Sequence, residues 1–272
     1  MKQFFIICGV FLSRIFILLR YKFWGLLKSV KSSVKLPVTK HHKYRFSTYG
    51  ELIHLLYAHQ FLSGFGKGFE YKTIKKFTDL IRPGDTVLDV GANIGMYSLL
   101  SADLVGPTGR VLAFEPVSKT YEALRHNLAA NEKKNVRVHQ LALSDSNGTA
   151  VIKVPDDMDN DAAKDAFNSL DLNPTGGGGE VITTATLDSF RRENDLQKID
   201  FIKIDIEGAE LLFFQGARQT LQDLRPKHIV FEAHEPFCKR FNYSVADIVV
   251  LLHEYDYEFE QYDDWQWLAT AK

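Results

Sequence analysis

Acidic side chains follow three successive segments of this sequence that are typical of buried strands. Asp89 lies in "TVLDVG", Glu115 follows "VLAF", and Asp145 follows "LALS". Because the carboxyl ends of parallel strands meet at one edge of a sheet, we expect these carboxylates to converge there. Ionised carboxylates accept hydrogen bonds, which suits them to the hydroxyls and amino groups of a nucleoside. Taken singly, each residue also has a structural interpretation: a turn-stabilising acid, a solvated strand end or an Asx turn.

A glycine-framed turn, "DVGANIG", joins the first of these strands to a helix. A dinucleotide turn has the pattern Gly-x-Gly-x-x-Gly, because its backbone must approach a pyrophosphate at a helix N-terminus. Here three residues separate Gly91 from Gly95, and the middle glycine is absent. The spacing fits S-adenosylmethionine better, since Asp89 can attract its ammonium while the amides of the turn face its polar tail. An NAD-dependent oxidoreductase is the alternative.

A second group of polar residues ends two later strands. Asp205, Glu207 and Glu210 lie in "IDIEGAE", and Glu232 and His234 lie in "FEAHE". His234 is a candidate general base, because imidazole ionises near neutral pH. The alternative is a histidine that only bonds a neighbouring carboxylate. Glu207 and Glu210 also have an alternative, which is to stabilise the N-terminus of the following helix.

Asp205 is a short acid at the end of a buried strand, so it needs a cationic partner. That partner is either the ammonium of a cofactor or Lys203, two residues earlier. Asp205, Glu232 and His234 could together supply ligands to a divalent metal, but their spacing does not require one. We therefore predict no metal.

From Arg82 onward, strand-like and helix-like segments alternate, which predicts βαβ units and a mainly parallel sheet. The pattern predicts one long third strand over "NVRVHQLALSD", a hairpin arm at "NGTAVIKV" and a single helix over "AELLFFQGARQTL". Ser118 is the predicted N-cap of the helix after the second strand. Two closing strands are expected near residues 257–262 and 267–270. Residues 155–180, which end in "TGGGGE", predict a mobile loop that is either a surface insertion or a lid over the substrate.

These motifs resemble the FkbM family of class I S-adenosylmethionine-dependent methyltransferases. The resemblance covers about residues 80–235 and rests on "VLDVGANIGMYS", "FEP", "LALSDSNG", "TLDSF" and "DFIKIDIEGAE" with the nearby "FQGA". It implies an α/β fold with a Rossmann-like, seven-stranded, mainly parallel sheet, helices on both faces and an antiparallel last strand. It also implies O-methylation of a hydroxyl on a saccharide, a lipid-linked glycan or a natural product.

The same resemblance assigns the site residues. Asp205 would face the methionine end of the cofactor or the reacting hydroxyl, and we expect Asp205, Glu207 and His234 to be catalytic. The residues assigned to S-adenosylmethionine lie in the glycine turn and after the second and third strands: Asp89, Gly91, Ala92, Asn93, Gly95, Glu115, Leu143, Ser144 and Asp145. A methyltransferase-like protein that binds a membrane or a partner without catalysis is a further alternative.

The charge of the chain is divided unevenly. Residues 1–50 contain ten Lys or Arg and no acidic residue, whereas the rest carries 23 basic and 34 acidic side chains. A basic N-terminal segment on an acidic remainder predicts that the N-terminal segment binds an anionic partner. Residues 4–19 form a mainly apolar run that Arg14 interrupts, and 16 residues are few for a helix that spans a bilayer. After them, one helical face is apolar and the other basic: Phe23, Leu27, Val30 and Val34 against Lys28, Lys31 and Lys35.

We therefore predict that residues 1–45 form a basic, apolar helical appendage that associates with a membrane surface or directs targeting. The alternative is an apolar helix that packs on the domain. Residues 46–272 are the predicted methyltransferase domain, membrane-associated through the appendage and placed in the cytoplasm. We expect no nucleic-acid partner, because the body is acidic and the chain lacks an Asn/Asp-Pro-Pro-aromatic motif.

Overall fold

A computed structural model describes residues 34–37, 43–46, 71–153, 169–171 and 179–272. The apolar run at 4–19, the basic helix that follows it and most of the loop at 155–180 lie outside the described residues. In the described ranges, none of the helices combines the length and the apolar character needed to cross a bilayer.

Seven strands form the main sheet, and its order confirms the predicted architecture. The order is β12-β13-β11-β10-β3-β4-β5. Neighbours pair in parallel except for β13, which is antiparallel to both β11 and β12. The strand bounds are β3 Thr86–Val90, β4 Arg110–Phe114, β5 Val136–His139, β10 Phe201–Ile204, β11 His228–Glu232, β12 Tyr257–Gln261 and β13 Gln266–Ala271.

Helices cover both faces of this sheet, as predicted. The first face packs on the side chains of Val87, Val111 and Phe201, and the second on those of Leu88 and Phe114. The helices of the first face are α1 Tyr71–Leu80, α2 Met96–Val105 and α3 Ser118–Ala130. Those of the second face are α4 Leu187–Glu193, α5 Glu210–Gln215, α6 Arg218–Leu224 and α8 Val245–His253. The short helix α7 Glu235–Cys238 and a 3-10 turn, Lys239–Phe241, follow β11.

The central strands are buried on both faces, which explains their sequences. All residues of β3 and β10 are buried, and parallel strands covered on both sides read as continuous apolar runs rather than as alternating ones. Asp89 in β3 and Lys203 in β10 interrupt those runs. The two residues are register partners in adjacent strands, so each polar side chain has the other as a neighbour.

Two helix predictions were wrong in detail. The predicted helix over "AELLFFQGARQTL" is two helices, α5 and α6, divided at Gly216. A Cβ atom on Gly216 would lie 2.0 Å from the carbonyl oxygen of Ser144, so the break permits a close backbone contact. Ser118 is the first residue of α3 and not its N-cap. Its backbone N–H donates instead to Glu180 Oε1 at 2.8 Å, which satisfies an amide that has no partner inside the helix.

The structure contains a second sheet of four strands, and this sheet shows that the prediction of one long third strand was wrong. Its order is β6-β9-β7-β8. The segment predicted as one strand contributes β5 to the main sheet and β6 to this small sheet, where β6 pairs in parallel with β9. The predicted hairpin arm is β7, which pairs antiparallel with β8 and β9. The bounds are β6 Ala142–Leu143, β7 Gly148–Lys153, β8 Ser169–Asp171 and β9 Glu180–Ala185.

A short hairpin of β1 (Val34–Pro37) and β2 (Lys43–Phe46) precedes the domain. The predicted basic helix included Val34 and Lys35, which lie in β1, so that part of the prediction is wrong. Pairing with β2 supplies the backbone hydrogen bonds of this segment, and Pro37 could not continue a helix. Tyr44 and Phe46 are buried with α1 and α2, and the Tyr44 hydroxyl donates to Asp103 Oδ2 at 2.7 Å. β2 therefore crosses the predicted boundary between residues 45 and 46, which stays a prediction.

Candidate active site

The glycine turn after β3 contacts the ends of both neighbouring strands, β4 and β10. The amides of Gly91 and Ala92 donate to the carbonyl of Phe114 at 3.0 and 2.9 Å. Gly91 has φ +74°, and a Cβ atom there would lie 1.9 Å from the carbonyl oxygen of Asp205. Position 91 therefore requires glycine for its conformation and for the approach of β3 to the end of β10.

The other end of the turn leads into α2 through two left-handed residues. Asn93 has φ +50° and Gly95 has φ +93°. The side chain of Asn93 accepts from the amide of Ile94 at 2.7 Å, while its own amide donates to Glu115 Oε2 at 3.0 Å. Asparagine tolerates this conformation because its short amide bonds locally. The turn thus places its backbone over the carboxylate of Glu115.

Glu115 lies where the second strand ends, as predicted, and its carboxylate is buried. One oxygen accepts from Asn93 and the other from the amide of Val117 at 3.1 Å. Burial is the main cause that raises the pKa of Glu115, to about 7. A carboxylate has about four lone-pair sites, so each oxygen retains capacity for a ribose hydroxyl.

Lys203 connects the glycine turn to the end of β10. Its Nζ lies 3.3 Å from Asp205 Oδ2 and 3.7 Å from Asp89 Oδ1, and it donates to the carbonyl of Gly91 at 3.2 Å. The side chain is buried and lies over the ring of Tyr97, 5.2 Å from its centroid. Of the two cationic partners considered for Asp205, the lysine is present. Its second pairing, with Asp89, was missed because it follows from strand register.

Asp89 is fully buried beneath the turn. Ser98 donates its hydroxyl to Oδ2, while Oδ1 accepts no hydrogen bond within the described part of the chain. Burial raises the pKa of Asp89, and the charge of Lys203 opposes that shift. The predicted direct attraction of a cofactor ammonium to Asp89 stays a prediction.

Glu207 and Glu210 share the loop after β10 but differ in environment. Glu207 is half-buried with φ +56°. Burial, followed by the charge of Asp205, raises the pKa of Glu207 to about 9. Glu210 is buried and accepts from the amides of Ile206 and Gly208 at 3.3 and 3.1 Å. Glu210 therefore stabilises the loop ahead of α5 through hydrogen bonds, as its structural alternative predicted, whereas the catalytic role of Glu207 stays a prediction.

His234 follows the fifth parallel strand, β11, and contacts three side chains. Its Nε2 is hydrogen-bonded to Glu232 Oε1, and Gln266 donates to Glu232 Oε2. The imidazole stacks between Phe237 and Trp265, with ring centroids 4.9 and 4.3 Å away. Bonding to a carboxylate, the alternative considered for His234, is thus present, and the same contacts fix the orientation of the imidazole. The contacts of Trp265 with His234 and of Gln266 with Glu232 were missed, since Trp265 and Gln266 are distant in sequence.

The residues predicted to surround the adenine lie at the end of β6. Leu143 and Ser144 are buried, and the amide of Ser144 donates to Ala185 at 2.9 Å. Asp145 is exposed and accepts from the hydroxyls of Ser144 and Ser146 at 3.2 and 3.1 Å. The adenine role of these residues stays a prediction. Among the described residues, no group of three or more His, Cys, Asp or Glu is placed to hold a metal ion.

Comparison with known protein families assigns the domain. The model of the methyltransferase FkbM domain matches residues 89–259. This chain belongs to the FkbM methyltransferase family. The cofactor is accordingly S-adenosylmethionine, and the alternative of an NAD-dependent oxidoreductase does not apply.

FkbM relatives are similar at moderate identity. The 31-O-demethyl-FK506 methyltransferase FkbM of Streptomyces tacrolimicus is 32% identical over 198 residues, which cover 63% of this chain and 72% of that protein. Methyltransferase sdnD of Sordaria araneosa is 30% identical over 55% of this chain and 66% of its own length. The 2-O-methyltransferase NoeI of Sinorhizobium fredii is 27% identical over 54% of this chain. The chain spans 63% of NoeI's length, and roughly two thirds of these relatives overall.

Solved structures are similar at lower identity. A SAM-dependent methyltransferase from Aquifex aeolicus is 16% identical with a TM-score of 0.45, covering 81% of this chain and 96% of that chain. Fibrillarin of Aeropyrum pernix is 14% identical with a TM-score of 0.42, covering 90% of this chain and 85% of that chain.

The described residues of this FkbM domain fit S-adenosylmethionine. The cofactor carries a sulfonium and an ammonium, and the carboxylate of Asp205 lies near the glycine turn, where Lys203 contacts both Asp205 and the carbonyl of Gly91. Within the described residues, Asp89 Oδ1 and the Tyr97 hydroxyl are buried without hydrogen-bond partners. Buried polar groups rarely lack partners, so these atoms are suited to a polar ligand.

Proposed function

We propose that this chain is an S-adenosylmethionine-dependent O-methyltransferase that acts on a hydroxyl of a saccharide, a lipid-linked glycan or a natural product. The observation that carries the proposal is the hydrogen-bonded series Gln266–Glu232–His234 at the end of β11. It orients a histidine beside the acids that follow β10. An oriented base of this kind is what a hydroxyl acceptor requires, because the hydroxyl must lose its proton.

The bonding of Glu232 indicates which nitrogen of His234 acts. An ionised carboxylate only accepts hydrogen bonds. Since Glu232 Oε1 bonds Nε2, the proton of the neutral imidazole is assigned to Nε2 and the lone pair to Nδ1. Nδ1 would therefore take the proton of the acceptor hydroxyl. Glu232 would stabilise the imidazolium that results.

The acids after β10 would position the reacting groups. When bound, S-adenosylmethionine supplies an electrophilic methyl group on a cationic sulfur. Asp205, partly exposed and paired with Lys203, would accept a hydrogen bond from the acceptor or from the cofactor's ammonium. Glu207, whose pKa is raised to about 9, holds its proton at neutral pH and would donate a hydrogen bond to the acceptor oxygen. Alignment of the two reactants supplies a large share of the rate enhancement.

Two relatives support a hydroxyl acceptor by their names alone: the 31-O-demethyl-FK506 methyltransferase and the 2-O-methyltransferase NoeI. A transfer assay tests the proposal, with tritiated methyl groups offered to lipid-linked glycan, saccharide and small-molecule extracts. We expect wild type to label one class. His234→Asn and Glu232→Gln should lower turnover by about 10²–10⁴-fold, because the first removes the base and the second places the proton on Nδ1.

The matched control is His126→Asn, an exposed histidine on α3, which should keep full turnover. Calorimetry with S-adenosylhomocysteine should give the same affinity for all four proteins. Full turnover by His234→Asn would remove the histidine from the mechanism. Cofactor binding by wild type without transfer to any class would favour the non-catalytic binding protein.

We also propose that residues 1–45 bring the domain to an anionic membrane surface on the cytoplasmic side. The support is the basic, acid-free composition of the first 50 residues and the attraction of such segments to anionic lipids. Full-length chain should sediment with vesicles that contain phosphatidylglycerol and remain free of pure phosphatidylcholine vesicles. Replacement of Lys28, Lys31 and Lys35 by Glu should abolish sedimentation; unchanged sedimentation would refute a charge-based attachment.

A further inference from the structure

We propose that Tyr243 is a positioning residue of the candidate active site, and that its hydroxyl holds the turn after β10 in the conformation that keeps Glu207 half-buried. The proposal deepens the function proposed above, in which Glu207 contacts the acceptor, and it rests on that function. Tyr243 lies between the 3-10 turn and α8, outside every motif that carries the family resemblance.

The turn that carries Glu207 has a backbone that its own sequence does not favour. Glu207 has φ +56°, in the left-handed region that a glutamate rarely adopts, and Gly208 follows with φ +103°. A Cβ atom on Gly208 would lie 2.8 Å from the carbonyl group of Phe237, so the turn packs closely against α7. A strained backbone of this kind persists only where its surroundings determine it. Contacts from outside the turn must therefore hold it.

The hydroxyl of Tyr243 supplies such contacts. It donates to the carbonyl of Gly208 at 2.6 Å and accepts from the amide of Leu211 at 3.3 Å. It also lies 3.2 Å from Glu210 Oε2. The amide of Leu211 is one of the first amides of α5, which have no acceptor inside their helix. One hydroxyl thus joins the end of the turn to the start of the following helix.

Glu210 completes the cluster around this hydroxyl. Its Oε1 accepts from the amides of Ile206 and Gly208, which lie on either side of Glu207. A tyrosine hydroxyl has one proton, and the shorter contact assigns it to Gly208, so a hydrogen bond with Oε2 needs the proton of Glu210. Burial is the main cause that raises the pKa of Glu210, to about 7, which favours that proton. Tyr243 and Glu210 together therefore hold the backbone before and after Glu207.

Tyr243 itself is held by contacts that do not involve the turn. Its ring packs in the core of the second face of the sheet, and its amide donates to the carbonyl of Cys238 at 3.4 Å. The next residue, Ser244, caps α8 through hydrogen bonds from its amide and hydroxyl to Asp247 at 2.7 and 2.8 Å. The hydroxyl therefore reaches the turn from an element with its own hydrogen bonds.

The ionisation of Glu207 reports the position of its carboxyl group. Burial is the main cause of its raised pKa, and the charges of Asp205, Glu232 and Glu210 add to it, while Lys203 opposes it. If the turn relaxed toward a backbone that glutamate favours, the carboxyl would gain water and move away from these acids. The pKa of Glu207 would then fall toward its ordinary value.

Two further titratable groups lie on α7, which packs against the turn. Glu235 accepts from the amide of Val245 at 3.1 Å and lies 4.0 Å from Lys239 Nζ. Burial raises the pKa of Cys238 to about 11, so its thiol keeps its proton between pH 7 and 9. A change of slope in that range that depends on Glu207 is therefore a change at Glu207.

Urea unfolding of the cofactor-free, full-length protein between pH 7 and 9 tests the proposal without an acceptor. The part of the pH dependence that belongs to Glu207 is the difference between a protein and the same protein with Glu207→Gln. Tyr243→Phe keeps the ring and removes the hydroxyl. We expect it to reduce the Glu207 part by about half or more, because the carboxyl is no longer kept half-buried.

The matched control is Tyr257→Phe. Tyr257 is also buried, and its hydroxyl also donates to a backbone carbonyl, that of Pro226, at 2.7 Å. Loss of this hydroxyl should lower stability to a similar extent while the Glu207 part stays as in wild type. A merely structural role of Tyr243 would make the two variants alike.

Amide hydrogen exchange in wild type gives a measurement that needs no variant to fold. The amides of Gly208 and Leu211, which donate to Glu210 and Tyr243, should exchange at least about 10-fold more slowly than that of Lys134, an exposed loop residue. With a labelled acceptor, Tyr243→Phe should lower kcat by about 10- to 100-fold, because the reacting groups are misplaced. Tyr257→Phe should keep full turnover.

Four results would overturn the proposal: an unchanged Glu207 part in Tyr243→Phe, an equal reduction in Tyr257→Phe, rapid exchange of the Gly208 and Leu211 amides, or full turnover by Tyr243→Phe. Failure of the proposed function looks different. The Glu207 part would still fall in Tyr243→Phe alone, while wild type methylated no acceptor.

Discussion

Glu115 links the glycine turn to the loop after β4 through one buried carboxylate. We expect Glu115→Gln to weaken binding of S-adenosylhomocysteine by about 10- to 100-fold, because hydrogen bonds to a charged group are each worth about 1.5–3 kcal/mol. The new amide would also turn an NH2 group toward a backbone N–H of Asn93 or Val117. Calorimetry measures the effect, and Glu122→Gln, an exposed acid on α3, is the control. Equal affinities would show that Glu115 has no part in cofactor binding.

Lys203 holds a buried positive charge between two acids. We expect Lys203→Met to lower the free energy of unfolding by about 3 kcal/mol, since removal of one partner leaves a buried charge uncompensated. Most of the loss should come from Asp89, because the partly exposed Asp205 is screened by water. Urea unfolding measures it. Adding Asp89→Asn to Lys203→Met should restore part of the stability.

The control for this pair is Lys198→Met, whose side chain is 57% exposed in its ion pair with Asp200. It should change stability little. If the double variant were less stable than Lys203→Met alone, the charge explanation for Lys203 would be wrong.

At the scale of elements, the close approach of β3 to β10 depends on glycine at position 91, which has no side chain. Gly91 and Gly106 both have positive φ, +74° and +66°. A Cβ atom on Gly91 would collide with the carbonyl oxygen of Asp205, whereas a Cβ atom on Gly106 would have no atom within 4 Å. Gly106→Ala should therefore cost only the conformational strain of this backbone position, about 1–3 kcal/mol. Gly91→Ala should cost more and should abolish binding of S-adenosylhomocysteine.

Urea unfolding and calorimetry on both variants separate the cost of backbone strain, which both share, from the cost of the collision with Asp205, which occurs only at position 91. Similar stability of the two alanine variants would mean that the strands can move apart and that the close approach is not required.

At the scale of the whole molecule, burial of acids sets a pH dependence. The pKa values of Glu115 and Glu210 are raised to about 7 and that of Glu207 to about 9, chiefly by burial. The folded chain binds these protons more tightly than the unfolded chain, so the stability they contribute is present at low pH and is lost as pH rises through those values. His139 and His228, whose pKa values are lowered chiefly by burial, act in the opposite direction only below about pH 6.5.

We therefore expect cofactor-free protein to lose up to about 2 kcal/mol of stability between pH 7 and 9, mainly through Glu207. Thermal or urea unfolding across this range measures the slope. Glu207→Gln should flatten it, because the amide does not titrate. S-adenosylmethionine should bind more tightly as pH rises, and neutral S-adenosylhomocysteine should show a weaker trend. An identical slope in Glu207→Gln would assign the loss to other groups.

Local sequence was sufficient for the architecture and for the position of the glycine turn between β3 and α2. Apolar runs such as "TVLDV" and "FIKI" predicted buried parallel strands, because burial on both faces leaves no room for alternation. Glycine spacing and an acid at the end of the second strand predicted Gly91 and Glu115 as neighbours, and the structure joins them through the amide of Asn93. These inferences succeed because the chain order of βαβ units determines which strand ends meet.

Only the tertiary structure decided which of the polar residues act on one another. The pairing of Lys203 with Asp89 follows from strand register, and the stacking of Trp265 on His234 joins residues from separate elements. The break at Gly216 depends on a carbonyl 72 positions away, that of Ser144. The raised pKa of Glu207 depends on burial and on Glu232 from another strand. Composition and spacing do not carry this information, because electrostatic and packing energies depend on distances that folding alone sets.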